Sequence, residues 1–103
     1  MNAKRTSLSQ QQLEALIRAE SKDSSKISFT LHVQKQMASR RITHACVLST
    51  LQNGRIRRKP EPNTMRGSIE CRMEHFCTGH NIAVVVAISD DDPDLVLVTA
   101  MYT

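Results

Sequence analysis

Apolar residues recur at helical spacing through the first half of the chain and at alternate positions through the second. Leu13, Leu16 and Ile17 form one stripe. Ahead of them stand the marks of a helix start: Ser9 as N-cap, Gln12 three positions on for a capping box, and Leu8 with Leu13 as a hydrophobic staple. This helix is expected to run to about Glu20 and give way to a linker at Ser21-Lys22-Asp23-Ser24-Ser25. Ile27-Ser28-Phe29 reads as a brief strand or a lead-in. Thr30 then caps a helix ending near Arg40 or Arg41. Thr43 caps another, with Ile42 and Val47 as its staple, Val47, Leu48 and Leu51 facing inward, and Asn53-Gly54 as a left-handed stop.

After Gly54 the period changes to two. Arg55-Ile56-Arg57-Arg58 sets one apolar residue among charges, as an edge strand does. Lys59-Pro60-Glu61-Pro62-Asn63-Thr64 is expected to be a loop, because proline interrupts a ladder. Ser68 to Phe76 alternates, with Ile69, Cys71, Met73 and His75 on one face and Glu70, Arg72, Glu74 and Phe76 on the other. Thr78-Gly79-His80-Asn81 is a hairpin turn. Ile82 to Ile88 is nearly all apolar and reads as a central strand covered on both faces. Ser89 to Asp94 is an acidic turn, and Leu95 to Tyr102 is the last strand. The predicted fold class is α+β: an N-terminal helix, then two short helices packed on one face of a four-stranded antiparallel sheet. Residues 1–25 form the N-terminal helix and linker, and residues 26–103 a single domain.

Length and composition narrow this picture. A chain of 103 residues with 40% apolar and 23% charged side chains fits one globular domain. The longest uncharged apolar run, Ile82 to Ile88, is far short of the roughly 20 residues of a membrane span. The polar residues after Met1-Asn2-Ala3-Lys4-Arg5 predict no secretory signal, and the expected compartment is the cytoplasm. Three cysteines (Cys46, Cys71 and Cys77) in such a chain are expected to be reduced thiols. Cys71, His75, Cys77 and His80 offer zinc-type donors. Their spacing along one extended strand differs from the tight knuckles of structural sites, and they read as two buried thiols and two surface histidines. No metal or other cofactor is expected.

The charge is unevenly placed. Lys35 to Arg72 holds nine basic residues against two acidic ones, whereas Met73 to the end has five acids and neither lysine nor arginine. A basic centre of this kind suits phosphate, an acidic protein, or the acidic end of a second copy of the chain. On the second helix His32, Gln36 and Arg40 fall on one i, i+4, i+8 ridge beside the apolar Val33 and Met37, so a histidine and an arginine border the buried seam. A half-buried polar row there would position an anion or move a proton.

His32-Val33-Gln34-Lys35-Gln36-Met37-Ala38-Ser39-Arg40-Arg41-Ile42-Thr43 resembles the H-A-x-x-R-M-x-x-R-G-I-S signature of an uncharacterised bacterial domain family, one labelled as a domain of unknown function. That family is similar in architecture to BrnT and, more remotely, to the RelE/ParE ribonuclease toxins. The resemblance continues through Val47 to Gly54, Lys59-Pro60, Cys71-Arg72, Val84-Val85-Val86 and Val98 to Tyr102. Gln36 stands where the signature has arginine, Arg41 where it has glycine, and Ala83 where many members carry histidine.

The resemblance implies a RelE/BrnT-like fold and a small cytosolic domain that binds or cleaves RNA. Metal-independent ribonuclease chemistry needs cations on the scissile phosphate and a group to activate the 2′-hydroxyl. The candidates are His32 as base or acid, Arg40 and Arg72 as phosphate clamps, and Tyr102 as proton donor. Arg41, Arg55, Arg57, Arg58 and Lys59 are candidates for contacts along a nucleic-acid backbone. The alternative is a non-catalytic protein-interaction module, such as an accessory factor of a phage or mobile element. The partners these readings admit are RNA, a cognate protein such as an antitoxin, and a second copy in a homodimer. A membrane is not among them.

Overall fold

The helices begin at the signals their sequences carry. The structure is a computed structural model and describes residues 4–103. Ser9 and Gln12 close a full capping box at the head of α1, Gln10–Glu20, so two of the otherwise unpaired backbone donors are satisfied reciprocally. Thr30 caps α2, Leu31–Arg40, by accepting from the Val33 N–H. Thr43 caps α3, His44–Asn53, through the Cys46 N–H. Arg41, left-handed at φ 57°, ends α2, and the Ile42 N–H returns to the Met37 carbonyl at 2.9 Å. This is a Schellman motif, with buried Met37 and Ile42 as its apolar pair.

Gly54 ends α3 differently from the expectation. It is extended, at φ −76° and ψ −179°, and not left-handed. Glycine is required there by space: a Cβ would collide with the Thr50 carbonyl and stand 2.8 Å from the Glu74 carbonyl oxygen.

Six strands follow, not four: β1 (Ile27–Phe29), β2 (Arg55–Ile56), β3 (Glu61–Asn63), β4 (Ser68–Cys77), β5 (His80–Ser89) and β6 (Leu95–Tyr102). Their order is β1-β6-β5-β4-β2, with β3 also on β4. All pairs are antiparallel except β1 with β6. The two additional strands are three-residue edges, too short to show a period: β1 is the brief strand that Ile27-Ser28-Phe29 allowed, and β3 stands within the stretch Lys59 to Thr64 expected to be a loop. β3 contains Pro62 opposite Ile69, which an edge tolerates because only one side of its ladder is used.

The helices lie on one face of the sheet. There Cys71 and Met73 of β4, Ile82, Val84, Val86 and Ile88 of β5, and Leu95, Leu97 and Ala100 of β6 pack with Val33, Met37, Val47 and Leu51. Leu13 and Ile17 of α1 are fully buried in the same cluster. A register shift opposite Val85/Val86 leaves Val98 without a partner. This bulge lets Leu97 and Ala100 both face the core although they are three residues apart. β5 is central but is covered by helices on one face only. Its other side carries Ala83, Val85 and Ala87, the last two half-buried. Among the described residues no helix is long and apolar enough to cross a membrane.

Candidate functional site

The helix-free face of the sheet carries the alternate residues of every strand. On β4 these are Ser68, Glu70, Arg72 and Glu74, set beside Ala87, Val85 and Ala83 of β5, with Val96, Thr99 and Met101 of β6 beyond them. Glu61 and Asn63 of β3 stand opposite Glu70 and Ser68, and Arg55 of β2 opposite Glu74. The floor is thus small and apolar, and the rim is charged.

Two depressions share this face and meet at Glu70. The larger, of about 450 Å³, has Ala87, Val96 and Val98 as its floor, with His32 on one wall and Arg66 and Ser68 on the other. The smaller, of about 180 Å³, is bounded by Arg58, Lys59, Glu61, Glu70 and Arg72 above Val85. Each contains a buried polar atom without a hydrogen-bond partner: Ser68 Oγ in the first and Arg72 Nε in the second. Arg72 Nε is 3.5 Å from Glu74 Oε2, an ion pair by distance that lacks hydrogen-bond alignment. Unpartnered buried donors and acceptors are uncommon in folded proteins and call for a ligand or water.

His32 reaches this face from the first turn of α2. Gln36 Nε2 lies 3.0 Å from His32 Nε2, while Gln36 Oε1 accepts the Ala100 N–H at 3.0 Å. With its oxygen committed to a donor, the Gln36 amide must donate to His32. That assignment makes His32 Nε2 an acceptor and sets the ring proton on Nδ1.

The ridge foreseen on α2 therefore exists, with a different occupation. Arg40 Nη1 donates to the Ala100 carbonyl at 2.7 Å, which ties it to the edge of β6. Tyr102 donates to the Arg41 carbonyl at 3.2 Å and packs against His80 at 5.1 Å between ring centroids. Neither Arg40 nor Tyr102 lines the two depressions. His32 and Arg72 do, one in each.

The basic residues divide in the same way. Arg58 and Lys59 join Arg72. Arg57 borders two other hollows, one with Phe76 and Asn81 and one with Arg55 and α1. Arg41 ends α2 beside Tyr102.

Sequence reasoning missed Arg66, Ser68 and Glu70. Glu70 and Ser68 were readable as the polar phase of a strand with Arg72. Arg66 sits in the turn before β4 and has no periodic signal.

The cysteines depart from expectation. Cys46 of α3 and Cys77 at the end of β4 form a disulfide, with Cα atoms 5.9 Å apart, and only Cys71 is free. Helix start and strand end are brought together by the fold, which spacing in sequence does not show. Burial pushes the Cys71 thiol up to about 12. Among the described residues no three His, Cys, Asp or Glu side chains converge as a metal site would need.

Residues 29–102 match the model of one family, described as a domain of unknown function, DUF4258. No curated protein and no solved structure matches the chain.

Proposed function

The chain belongs to the DUF4258 family of domains of unknown function, and from that premise we propose that it is an RNA-binding domain of the RelE/BrnT kind. Its helix-free sheet face would take the phosphodiester backbone. The observation that carries this reading is the convergence of Arg58, Lys59, Arg66, Arg72 and His32 around two joined depressions that hold unpartnered polar atoms. Arg72 Nε and the Lys59 and Arg58 head groups supply phosphate donors. The Val85, Ala87, Val96 and Val98 floor accepts the flat faces of unstacked nucleotides. His32, with Nε2 held by the Gln36 amide and its proton on Nδ1, is the wall residue to donate a proton to the leaving oxygen. Glu70 stands in the same depression as the proton acceptor for a 2′-hydroxyl and holds the anionic strand toward the cationic rim. Arg40 and Tyr102 serve the scaffold in this reading.

A second reading is favoured by one observation. Met65 is 96% exposed next to Arg66, and Leu31 is 67% exposed next to His32. Two bare apolar side chains flanking a charged groove suit a protein partner, such as an antitoxin segment laid across it.

RNA binding and cleavage by the purified chain, in EDTA and at several salt concentrations, test both. Four cationic contacts predict a slope of about −3 in log K against log salt, reduced by about 0.7 in Arg58→Ala. Cleavage that persists in EDTA and vanishes in His32→Ala would establish metal-independent catalysis. Binding that is insensitive to salt and to Arg58→Ala would sink the RNA reading and leave the protein partner.

A further inference from the structure

Cys46, Cys77 and Thr78 meet where the first turn of α3 passes the β4–β5 hairpin. The disulfide joins residues 31 apart in sequence, and its two halves differ. Cys46 is 5% exposed and is the third residue of α3, its own N–H satisfied by Thr43 Oγ1. A sulfur in the first turn of a helix is held where partial positive charge favours the thiolate. Cys77 is half-buried at the strand end, the more exposed half of the pair. Cys71 is fully buried, with its thiol raised to about 12, and is chemically inert in the folded chain.

Thr78 supplies the second observation. It has φ 49° and Gly79 has φ 86°, so the hairpin uses a two-residue turn with both residues left-handed. Asparagine or glycine is favoured there, and a β-branched residue is strained. The Thr78 hydroxyl donates its one proton to the Cys77 carbonyl at 2.8 Å and lies 3.6 Å from Cys46 Sγ, so rotation about the C–O bond would turn that proton from the carbonyl to a Cys46 thiolate. Turn geometry gives no reason for threonine at this position. A hydroxyl beside the sulfur does.

We propose that Cys46–Cys77 is a thiol–disulfide exchange site for small thiols of the glutathione class, in which Cys77 is the attacked sulfur, Cys46 the leaving group, and Thr78 the hydroxyl that turns its proton from the Cys77 carbonyl to the departing thiolate. An external thiolate forms a bond to Cys77 Sγ. The intramolecular S–S bond breaks, and its electron pair leaves on Cys46 Sγ. A second external thiolate then attacks the small-molecule sulfur of this mixed disulfide, releasing Cys77 as a thiolate and a small disulfide. Two electrons pass from two small thiols to the protein, and the reverse sequence re-forms the bond with the small disulfide as oxidant. A leaving thiol with a stabilised anion departs faster, which fixes the direction of the first step.

The test equilibrates the full chain in buffers of reduced and oxidised glutathione, quenches with acid, and counts maleimide-labelled thiols by intact mass. Cys46 and Cys77 are expected to open together at a midpoint inside the buffer series, with Cys71 unlabelled in the folded protein. Thr78→Val keeps the branched shape, loses the hydroxyl, and should lower the exchange constant about tenfold, as loss of a hydrogen bond to a charged group does. In Cys46→Ala a glutathione adduct should accumulate on Cys77, whereas Cys77→Ala should leave Cys46 unmodified. A pair that stays closed in the most reducing buffer is a fixed cross-link, and a pair that never closes in the most oxidising one is no disulfide. Either result overturns the proposal, as does an unchanged constant in Thr78→Val. RNA takes no part in this measurement, so its outcome is independent of the groove.

Discussion

Gln36 and Ala100 join a helix to the open side of a strand: the Ala100 N–H donates to Gln36 Oε1 at 3.0 Å, and one turn further Arg40 takes the Ala100 carbonyl at 2.7 Å. The opposite margin of the sheet repeats the device. Glu14 accepts the Ile56 N–H at 2.8 Å, Gln10 donates to the Ile56 carbonyl at 3.0 Å, and Arg18 Nη2 to the Gly54 carbonyl at 2.7 Å. α1 thus uses an i, i+4, i+8 polar ridge, and α2 an i, i+4 pair, to supply the hydrogen bonds that another strand would make. Gln10-Glu14-Arg18 and Gln36-Arg40 are the same solution used twice. In both an arginine holds a strand-margin carbonyl, Arg18 that of Gly54 and Arg40 that of Ala100.

Gln36→Leu should therefore destabilise the fold by about 1–2 kcal/mol, the usual consequence of stranding a half-buried amide. Gln36→Glu keeps an acceptor for Ala100 and should stay within about 0.5 kcal/mol of the parent, although its donor to His32 is gone. Urea denaturation of the three proteins decides the point. An equal loss in both variants would show that Ala100 does not need the acceptor.

Gly54→Ala is expected to be among the most damaging single changes. The atoms its Cβ would meet are the backbone carbonyls of Thr50 and Glu74, and neither can rotate away as a side chain would. α3 would have to separate from β4, at a loss of about 2–3 kcal/mol. A melting temperature within two or three degrees of the parent, about 1 kcal/mol or less, would contradict the crowding.

How much of this was legible follows from which interactions are local. The three caps Ser9, Thr30 and Thr43, the alternation of Ser68 to Phe76 and the last strand were readable, because each depends on neighbours within a few residues. β1 was readable only as one of two alternatives and β3 was read as a loop, since a three-residue strand takes its identity from a partner elsewhere: Ile27 from Leu95 and Glu61 from Glu70. The His32-Gln36-Arg40 ridge was visible as geometry, but its occupation by the Ala100 backbone is a contact across 60 residues. The Cys46–Cys77 pairing failed for the same reason. The groove was half legible, as Arg72, Arg58, Lys59 and His32 were named without the Glu70, Ser68 and Arg66 that join them.

Arg41 separates stability from binding. Its left-handed backbone, φ 57°, is disfavoured for any residue with a Cβ, and the Schellman position it fills is most often glycine. Arg41→Gly should stabilise the folded chain by roughly 0.5–1 kcal/mol, the strain relieved being offset in part by the greater freedom of glycine when unfolded. Because Arg41 lines neither depression, RNA affinity should change less than twofold. A fall as large as that of Arg58→Ala would extend the nucleic-acid surface to the end of α2.

The N-terminal segment is fastened by a carboxylate whose protonation should release it. Asp90 accepts the Thr6 N–H at 3.1 Å and the Thr6 hydroxyl at 2.9 Å, and these bonds, the backbone one foremost, hold its carboxyl below the ordinary aspartate value. A carboxyl depressed in the folded state contributes above its unfolded value, about 3.9. That contribution is lost as pH falls through the lower folded value. Asp23 is lowered as well, chiefly by its side-chain hydrogen bond with Ser25, so a global acid melt would mix the two groups. The Thr6 amide proton resonance reads Asp90 alone. Its shift should titrate with a midpoint below 3.9 and become flat in Asp90→Asn, where the ionisable group is gone. A midpoint at or above the ordinary value would mean that Thr6 does not hold the carboxylate in solution.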